Sequence, residues 1–385
     1  MHKIKTAIVI GGTSGLGRSI AGALADAGVQ VTAFGRHLPE DAHANICWQR
    51  MNLLSDDLSA LAAHMDADAV VFAAGLGRIA PFEQLTDMEI TTAFRTNAES
   101  FARVLHMFQP RLAGEKDLYF AVIGSIAGLV SSPMFAAYGA AKAAVKSLCE
   151  SVNAELAAQG CMNRILNVAP GALKGTRFYG GKDQPELTRA LAEEIIRRML
   201  SRETLFIPNY EETYRGVLER YHADPEKFGI ESWQYKQQSG RIGEKPRGTI
   251  GFLSGTFDLF HIGHLNLLRR AKQYCDYLIV GVHPPGSSHK NKPTFIPLEE
   301  RMAILESIKY VDKVVVTLDE DDAMYELYPY DYLFVGSDYK GTERFNRYEE
   351  KLCPLGVQII YFPYTQGTSS TQLREALTSA AGSTR

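Results

Sequence analysis

Cysteine is scarce and unpatterned in this 385-residue chain: five residues, Cys47, Cys149, Cys161, Cys275 and Cys353, with no C-x-x-C and no Cys/His ligand spacing. An odd, scattered set excludes a disulfide framework and a zinc site and points to reduced thiols. Charge of one sign is lacking as well. Net charge is −3 with 22% charged residues, so there is no basic footprint for nucleic acid, and small anions must be held by local groups. No apolar run reaches the length that spans a bilayer. The opening Met1-His2-Lys3-Ile4-Lys5 runs through a short apolar stretch straight into a glycine loop, which is not a signal-peptide pattern. These absences lead us to expect a soluble, cytoplasmic protein with no membrane insertion, no nucleic-acid partner and no resident metal. Low-complexity segments and internal repeats are also missing. A domain typically takes roughly 100–200 residues, so the length calls for two or three.

What is present begins with Thr6-Ala7-Ile8-Val9-Ile10, a buried strand, followed by Gly11-Gly12-Thr13-Ser14-Gly15-Leu16-Gly17 and a helical pattern from Ser19. Glycines at 11, 15 and 17 permit a sharp turn, close backbone approach to a pyrophosphate and tight helix packing, so this loop is expected to bind a dinucleotide. A second strand over residues 29–34 ends in Gly35-Arg36, where an acid would suit the ribose hydroxyls of NAD. A guanidinium there suits a 2′-phosphate instead, which favours NADP(H). A third strand, residues 69–73, runs into Ala74-Gly75. Strands and helices then alternate to about residue 170, the signature of a parallel sheet covered on both faces.

Within that alternation stand Asn97, Ser125 at the end of the strand 119–123, and Tyr138 with Lys142, four apart and therefore on one helical face. With the glycine loop, the thirteen-residue step from 125 to 138, and Pro170-Gly171 with Thr176, this set resembles the short-chain dehydrogenase/reductases over roughly the first 200 residues. The resemblance implies reduction of a carbonyl. Tyr138 is then the acid that protonates the developing alkoxide, with Lys142 lowering its pKa through opposite charge and holding the nicotinamide ribose. Ser125 holds the substrate oxygen, and Asn97 supports a water relay behind the lysine. Two positions depart from the family pattern. Phe72-Ala73-Ala74-Gly75 replaces Asn-Asn-Ala-Gly, and Asn52 stands where an aspartate commonly meets the adenine.

The first domain is expected over residues 1–208, with 205–208 as a shortened last strand. Residues 209–245 are polar and aromatic, neither glycine- nor serine-rich, and read as a linker or as interdomain or oligomerisation helices, with a substrate lid as the alternative. The second domain is expected over 246–385. It opens with a strand at 249–253, then Gly255-Thr256-Phe257-Asp258-Leu259-Phe260-His261-Ile262-Gly263-His264, then a helix. Histidines at i and i+3 share a helical face, and the amides and positive dipole end of a helix start favour phosphate. Further strands at 277–282, 313–317, 332–335 and 357–362 alternate with helices. Polar loops gather at their ends, including Gly336-Ser337-Asp338 and Thr365-Gln366-Gly367-Thr368-Ser369-Ser370-Thr371. Both halves therefore read as α/β, two doubly wound, Rossmann-like parallel sheets.

Over the final 140 or so positions, the Gly255-to-His264 motif, Glu300-Arg301 and the 365–371 segment resemble nucleotidyltransferases of the glycerol-3-phosphate cytidylyltransferase type. That resemblance implies CTP as substrate and Mg2+ on the triphosphate, with His261 and His264 stabilising the pentacoordinate phosphorus and the leaving pyrophosphate. Lys290, Lys292 and Arg301 are candidates to neutralise phosphates, and Thr368, Ser369, Ser370 and Thr371 offer hydroxyls and amides. Tyr364 and Gln366 depart from a usual arginine and acid, which leaves the acceptor open.

Together the halves suggest two steps of one pathway. A phosphorylated ketose, best exemplified by ribulose 5-phosphate, is reduced to a polyol phosphate, which is then joined to CMP as CDP-ribitol for surface polymers such as capsule. The alternatives are CDP-glycerol from a dihydroxyacetone-type substrate, cytidylylation before reduction, or a first half that is only a scaffold or NADPH sensor. Both families commonly assemble as dimers or larger symmetric oligomers.

Overall fold

The computed structural model of the protein describes residues 4–41, 43–55, 58–176, 183–238, 249–286, 294–363 and 373. The chain divides into two compact units, Met1–Pro246 and Arg247–Arg385.

The first unit holds strands β1 (Thr6–Ile10), β2 (Gln30–Gly35), β3 (Ile46–Arg50), β4 (Ala69–Phe72), β5 (Tyr119–Ile123), β6 (Arg164–Val168) and β7 (Leu205–Phe206). Its helices are α1 (Gly15–Asp26), α2 (Ser59–Ala62), α3 (Asp87–Phe94), α4 (Ser100–Leu112), α5 (Ala136–Ala158), α6 (Pro185–Leu200), α7 (Arg215–Ala223) and α8 (Pro225–Gln238). The sheet order is β3-β2-β1-β4-β5-β6-β7. Every pairing is parallel. Because strand side chains alternate, β1 sends Ala7 and Val9 to one face, against Leu16 and Ile20 of α1 and Ile195 of α6. Ile8 and Ile10 go to the other, with Phe101 and Val104 of α4 and Val145 of α5. A strand buried on both faces needs a continuous apolar run, which is why β1 and β4 were legible. β3 was not, since the edge strand Ile46–Arg50 mixes apolar and polar residues and is only partly buried.

The segment after β7 forms a π-helical turn, Tyr210–Tyr214, before α7 and α8. Helix α8 is tied within the first unit: Lys236 Nζ donates to Ser132 Oγ and to the Pro133 carbonyl, both at 2.7 Å.

The second unit holds β8 (Ile250–Gly255), α9 (Ile262–Lys272), β9 (Tyr277–Val282), α10 (Leu298–Glu306), β10 (Lys313–Val316), α11 (Asp321–Leu327), β11 (Tyr332–Gly336), α12 (Glu343–Leu352) and β12 (Gln358–Phe362). Its sheet order is β10-β9-β8-β11-β12, again all parallel. Leu253 packs with Leu268 and Leu305 on one face, and Phe252 with Met324, Tyr348 and Leu352 on the other. In both sheets the first strand has its successors on either side, so a crevice opens beyond its carboxyl end, where such sheets bind ligands. No helix among the described residues is long and apolar enough to cross a membrane.

Lys272, in the last turn of α9, is 1% exposed and donates to the Asp276 carbonyl at 2.8 Å and to the Asp312 carboxylate. It fixes the helix whose other end carries the paired histidines. Lys272→Met removes both bonds, leaving the Asp312 carboxylate only the Leu278 amide among the contacts described, and should lower the second unit's stability by about 1–3 kcal/mol. Trp48 and Trp233 both lie in the first unit, so the check is loss of pyrophosphate release with urea; an unchanged midpoint would contradict it.

Candidate active sites

In the first unit the glycine loop leaves β1 and enters α1 with close contacts that only glycine allows. A Cβ on Gly17 would lie 2.2 Å from the Gly11 carbonyl oxygen, and one on Gly11 would lie 2.4 Å from the Ala74 nitrogen. Ser14 is the N-cap of α1 but makes no side-chain cap hydrogen bond. The Gly15 amide instead donates to a carboxylate oxygen of Asp183 at 3.2 Å. Asp183 is thus an anion of the protein's own, placed at the helix start where the loop would meet a pyrophosphate. Thr176 lies beside the same glycine and is itself buried, its hydroxyl bonded to the Leu173 carbonyl. Leu16 and Thr13 are buried around the loop.

At the end of β2, Arg36 is half-buried and its carbonyl accepts from Arg50 Nη1 at 2.7 Å, so two guanidinium-bearing residues share that corner. Asn52 is buried, and its side-chain oxygen accepts from the Leu54 amide.

The proton-transfer residues converge between β4, β5 and α5. Ser125 caps a short 3-10 turn, and its side chain hydrogen-bonds Tyr138. Phe135 stacks on Tyr138 at 4.3 Å between ring centroids, and Lys142 Nζ stands 5.6 Å from the Tyr138 ring centre. Lys142 is 3% exposed and donates to the Ile123 carbonyl at 2.7 Å, which binds α5 to the end of β5. Asn97 sits in a π-helical turn, Arg95–Glu99, fully buried, with its amide nitrogen donating to the Ala93 and Leu76 carbonyls. Gly75 lies against both, since a Cβ there would be 3.0 Å from Asn97 Oδ1 and 3.3 Å from Lys142 Nζ. The strand end that carries Pro170 and Gly171 closes the site, with the Ile126 amide donating to the Pro170 carbonyl.

In the second unit His261 is the N-cap of α9, one residue before its first turn, and its Nδ1 accepts from the Gly263 amide at 3.0 Å. With Nδ1 accepting, the neutral ring carries its proton on Nε2. Burial holds the His261 pKa below its ordinary value, which favours that neutral form. His264 stacks on His261 at 4.0 Å between centroids and is flanked by Phe257 and Phe260. The connecting loop is strained: Phe257 and Leu259 have φ of 51° and 50°. Such conformations cost about 1–3 kcal/mol each and persist where surroundings over-determine them, often at ligand sites.

The N-terminal sequence matches the family described as short chain dehydrogenase over residues 5–186, and the C-terminal sequence that described as cytidylyltransferase-like over residues 252–376. The glycerol-3-phosphate cytidylyltransferase of Bacillus subtilis (strain 168) is 33% identical over 126 residues, 32% of this chain and 92% of that protein. Its counterpart in Bacillus spizizenii (strain ATCC 23059 / NRRL B-14472 / W23) is 37% identical over 128 residues, 32% of this chain and 94% of that protein. This chain is a short-chain dehydrogenase fused to a cytidylyltransferase. The dehydrogenase fold recurs in a Burkholderia cenocepacia J2315 short chain dehydrogenase in complex with NADP, at TM-score 0.51 and 21% identity, covering 60% of this chain and 98% of that one. A Burkholderia phymatum short chain dehydrogenase/reductase in complex with NAD has TM-score 0.50 and 19% identity, covering 58% and 95%.

In the cytidylyltransferase domain two expected ligand-facing residues are occupied internally. Arg301 is 1% exposed; Nε donates to the Ile296 carbonyl and Nη1 to the carbonyls of Thr256 and His283, while Nη2 is buried with no partner among the described residues and remains an open donor. Asp258 is 2% exposed and accepts from the Phe295 and Ile296 amides. Both shape the Gly255-to-His264 loop. The Asp338 carboxylate folds back over Gly336, where a Cβ would lie 2.4 Å from Oδ1. Sequence reading passed over His283, which ends β9 beside the motif: its amide donates to the Gly255 carbonyl at 3.0 Å, and its Nδ1 pairs with Thr317 Oγ1 at 2.8 Å. A histidine directly after a buried strand was the signal available. Lys290, Lys292, Tyr364, Gln366, Thr368, Ser369, Ser370 and Thr371 lie outside the described residues.

In the dehydrogenase domain the expected depression of the Tyr138 pKa is reversed. Burial pushes it up to about 12, with only the Ser125 hydrogen bond opposing, and pushes Lys142 down to about 7. Desolvation of both groups outweighs their mutual attraction when the cation is turned to the Ile123 carbonyl.

Two outcomes follow for the dehydrogenase domain. Lys142 is charged below about pH 7 and loses its proton above it, whereas Tyr138 keeps its proton throughout. A carbonyl reduction that depends on that cation should therefore show kcat/KM constant at acid pH and falling as pH rises through about 7. A profile level from about pH 6 to about pH 9 would count against Lys142. Asp183→Asn should tighten NADPH binding by about two- to fivefold at low salt, because a charge repelling the pyrophosphate is gone. Fluorescence titration with NADPH measures this, and weaker binding in the variant would mean that Asp183 supports the cofactor.

Proposed function

We propose that the protein makes a CDP-polyol in two steps: NADPH-dependent reduction of a phosphorylated ketose to a polyol phosphate, then cytidylyl transfer from CTP. The observation that carries the proposal is the presence, on one chain, of a convergent Ser125–Tyr138–Lys142 set and a stacked His261–His264 pair. A reductase that makes an alcohol and a transferase that activates a phosphorylated alcohol are consecutive chemistries.

The glycine loop fits a dinucleotide: the contacts at Gly11 and Gly17 leave no room for side chains, and the Gly15 amide already takes a carboxylate. Arg36 and Arg50 at the β2 and β3 ends favour the 2′-phosphate of NADP(H). When bound, the cofactor supplies the hydride. Ser125 then orients the carbonyl oxygen, and Tyr138 gives its proton to the oxygen as negative charge develops there. Lys142 stands beside that phenol and is buried, where charge acts strongly.

For the second step, the polyol phosphate oxygen attacks the α-phosphorus of CTP and pyrophosphate leaves. Catalysis is then positioning and charge stabilisation, with no covalent enzyme intermediate. His261 donates through Nε2, and His264 stands beside it in the same crevice. Mg2+ would arrive with the nucleotide and neutralise its phosphates.

Ribulose 5-phosphate, giving ribitol 5-phosphate and CDP-ribitol, is the acceptor we favour. CDP-glycerol is the second reading, favoured by the glycerol-3-phosphate cytidylyltransferases at 33% and 37% identity. Incubation with CTP, Mg2+ and ribulose 5-phosphate, with and without NADPH, separates them. CDP-ribitol should form only with NADPH, and a CDP-ketose formed without NADPH would reverse the order of steps. Tyr138→Phe should abolish NADPH oxidation and spare pyrophosphate release from supplied ribitol 5-phosphate, while His264→Ala should do the converse. Full NADPH oxidation by Tyr138→Phe would remove the tyrosine from its role.

A further inference from the structure

Residues 209–245 were expected as a linker or as interdomain or oligomerisation helices, with a substrate lid as the alternative. β7 is the parallel neighbour of β6, with Val168 opposite Phe206, so the chain leaves β7 at the same sheet edge at which Pro170 and Gly171 leave β6. Asn209 then adopts a left-handed conformation, φ 57° and ψ 37°, and reverses the chain. The π-helical turn Tyr210–Tyr214 follows, closed by Thr213 and Tyr214 amides on the Asn209 carbonyl. Extra-residue turns of this kind recur at functional sites because they re-aim side chains.

The side chain re-aimed here is Tyr214. Its hydroxyl lies so close over Gly171 that a Cβ on that glycine would be 1.6 Å from Oη and 2.8 Å from Cζ. Gly171 therefore has to be glycine for Tyr214 to occupy this place. Gly171 is adjacent to the site: the Pro170 carbonyl beside it accepts from the Ile126 amide, and Ile126 follows Ser125. The same segment also holds the opposite wall. Helix α8 fastens the 131–133 loop through Lys236, and Phe135, just beyond that loop, stacks on Tyr138. Tyr214 is half-buried, so its ring is neither sealed into the core nor loose on the surface.

We propose that Tyr214 is a substrate-binding residue of the reductase, its phenol donating a hydrogen bond to a hydroxyl or phosphate oxygen of the carbonyl substrate. The proposal rests on the reading of the first domain as a reductase of polyhydroxylated, phosphorylated ketones. Such substrates present many acceptors, and a tyrosine at the rim supplies a donor on a stiff, apolar support. The segment 209–238 is then part of the reductase's binding wall.

The test is Tyr214→Phe in the full chain, which removes one oxygen and keeps the ring packed on Gly171. NADPH binding serves as the folding control for this domain, and pyrophosphate release from CTP and ribitol 5-phosphate, which reports on the other domain, should be unchanged. KM for the carbonyl substrate should rise about five- to tenfold, the loss of one hydrogen bond. The affinity for NADPH, from fluorescence titration, and kcat should change less than about twofold. An unchanged carbonyl KM would overturn the proposal, as would a loss of NADPH affinity equal to the rise in KM, which would place Tyr214 on the cofactor side. If the wild-type chain reduces a carbonyl other than a phosphorylated ketose, the substrate reading fails separately. The same comparison on that carbonyl then decides the role of Tyr214.

Discussion

A parallel sheet covered by helices on both faces can release polar chain only beyond the ends of its strands. Both domains depend on that constraint. Their central strands, such as β1, β4 and β9, are buried on both sides and carry no charged side chains, so the loops able to meet a ligand are collected at the carboxyl edge. In the dehydrogenase domain the edge gathers the glycine loop after β1, Gly75 after β4, Ser125 after β5 and Gly171 after β6. In the cytidylyltransferase domain it gathers the histidine loop after β8, His283 after β9 and Asp338 after β11. Helix α5 is brought into line by one further contact, the Lys142 ammonium on the Ile123 carbonyl, which sets the height of Tyr138 one turn earlier.

What could be read in the sequence was what is local. Tyr138 and Lys142 are four apart on one helix, and the loop glycines and the histidine motif follow buried strands directly, so type and spacing were enough. The missed contacts are those made at a distance. Asp183 lies 168 residues from the Gly15 amide it accepts from, and the Thr256 carbonyl held by Arg301 lies 45 residues away from it. Conserving charge type gave no sign that Arg301 and Asp258 turn inward, because an arginine on a loop carbonyl and one on a phosphate look identical as letters. Residues 209–238 read as a linker or as interdomain or oligomerisation helices, with a substrate lid as the alternative, and nothing in their composition announces the left-handed Asn209.

Desolvation governs the electrostatics of the reductase more than pairing does. An oppositely charged neighbour would be expected to depress the tyrosine, but a lysine stripped of water holds its own proton weakly, and a buried phenol holds its proton tightly. Near neutral pH the phenol therefore stays protonated while the ammonium beside it titrates. Opposite directions of shift in two adjacent groups are what separate acid from base within one site.

His261 has a consequence for how the transferase can vary. One nitrogen of its ring starts a helix, and the other nitrogen of the same ring carries the proton. Serine, threonine, aspartate or asparagine could begin the helix but would end at the cap, with no second donor on a rigid plane behind it. The residue thus serves two masters, chain geometry and ligand chemistry, through opposite ends of one planar group. Substitution there is constrained twice over, and a lineage that abandoned cytidylyl transfer would be free to keep the cap and lose the imidazole, with serine or aspartate starting the helix instead.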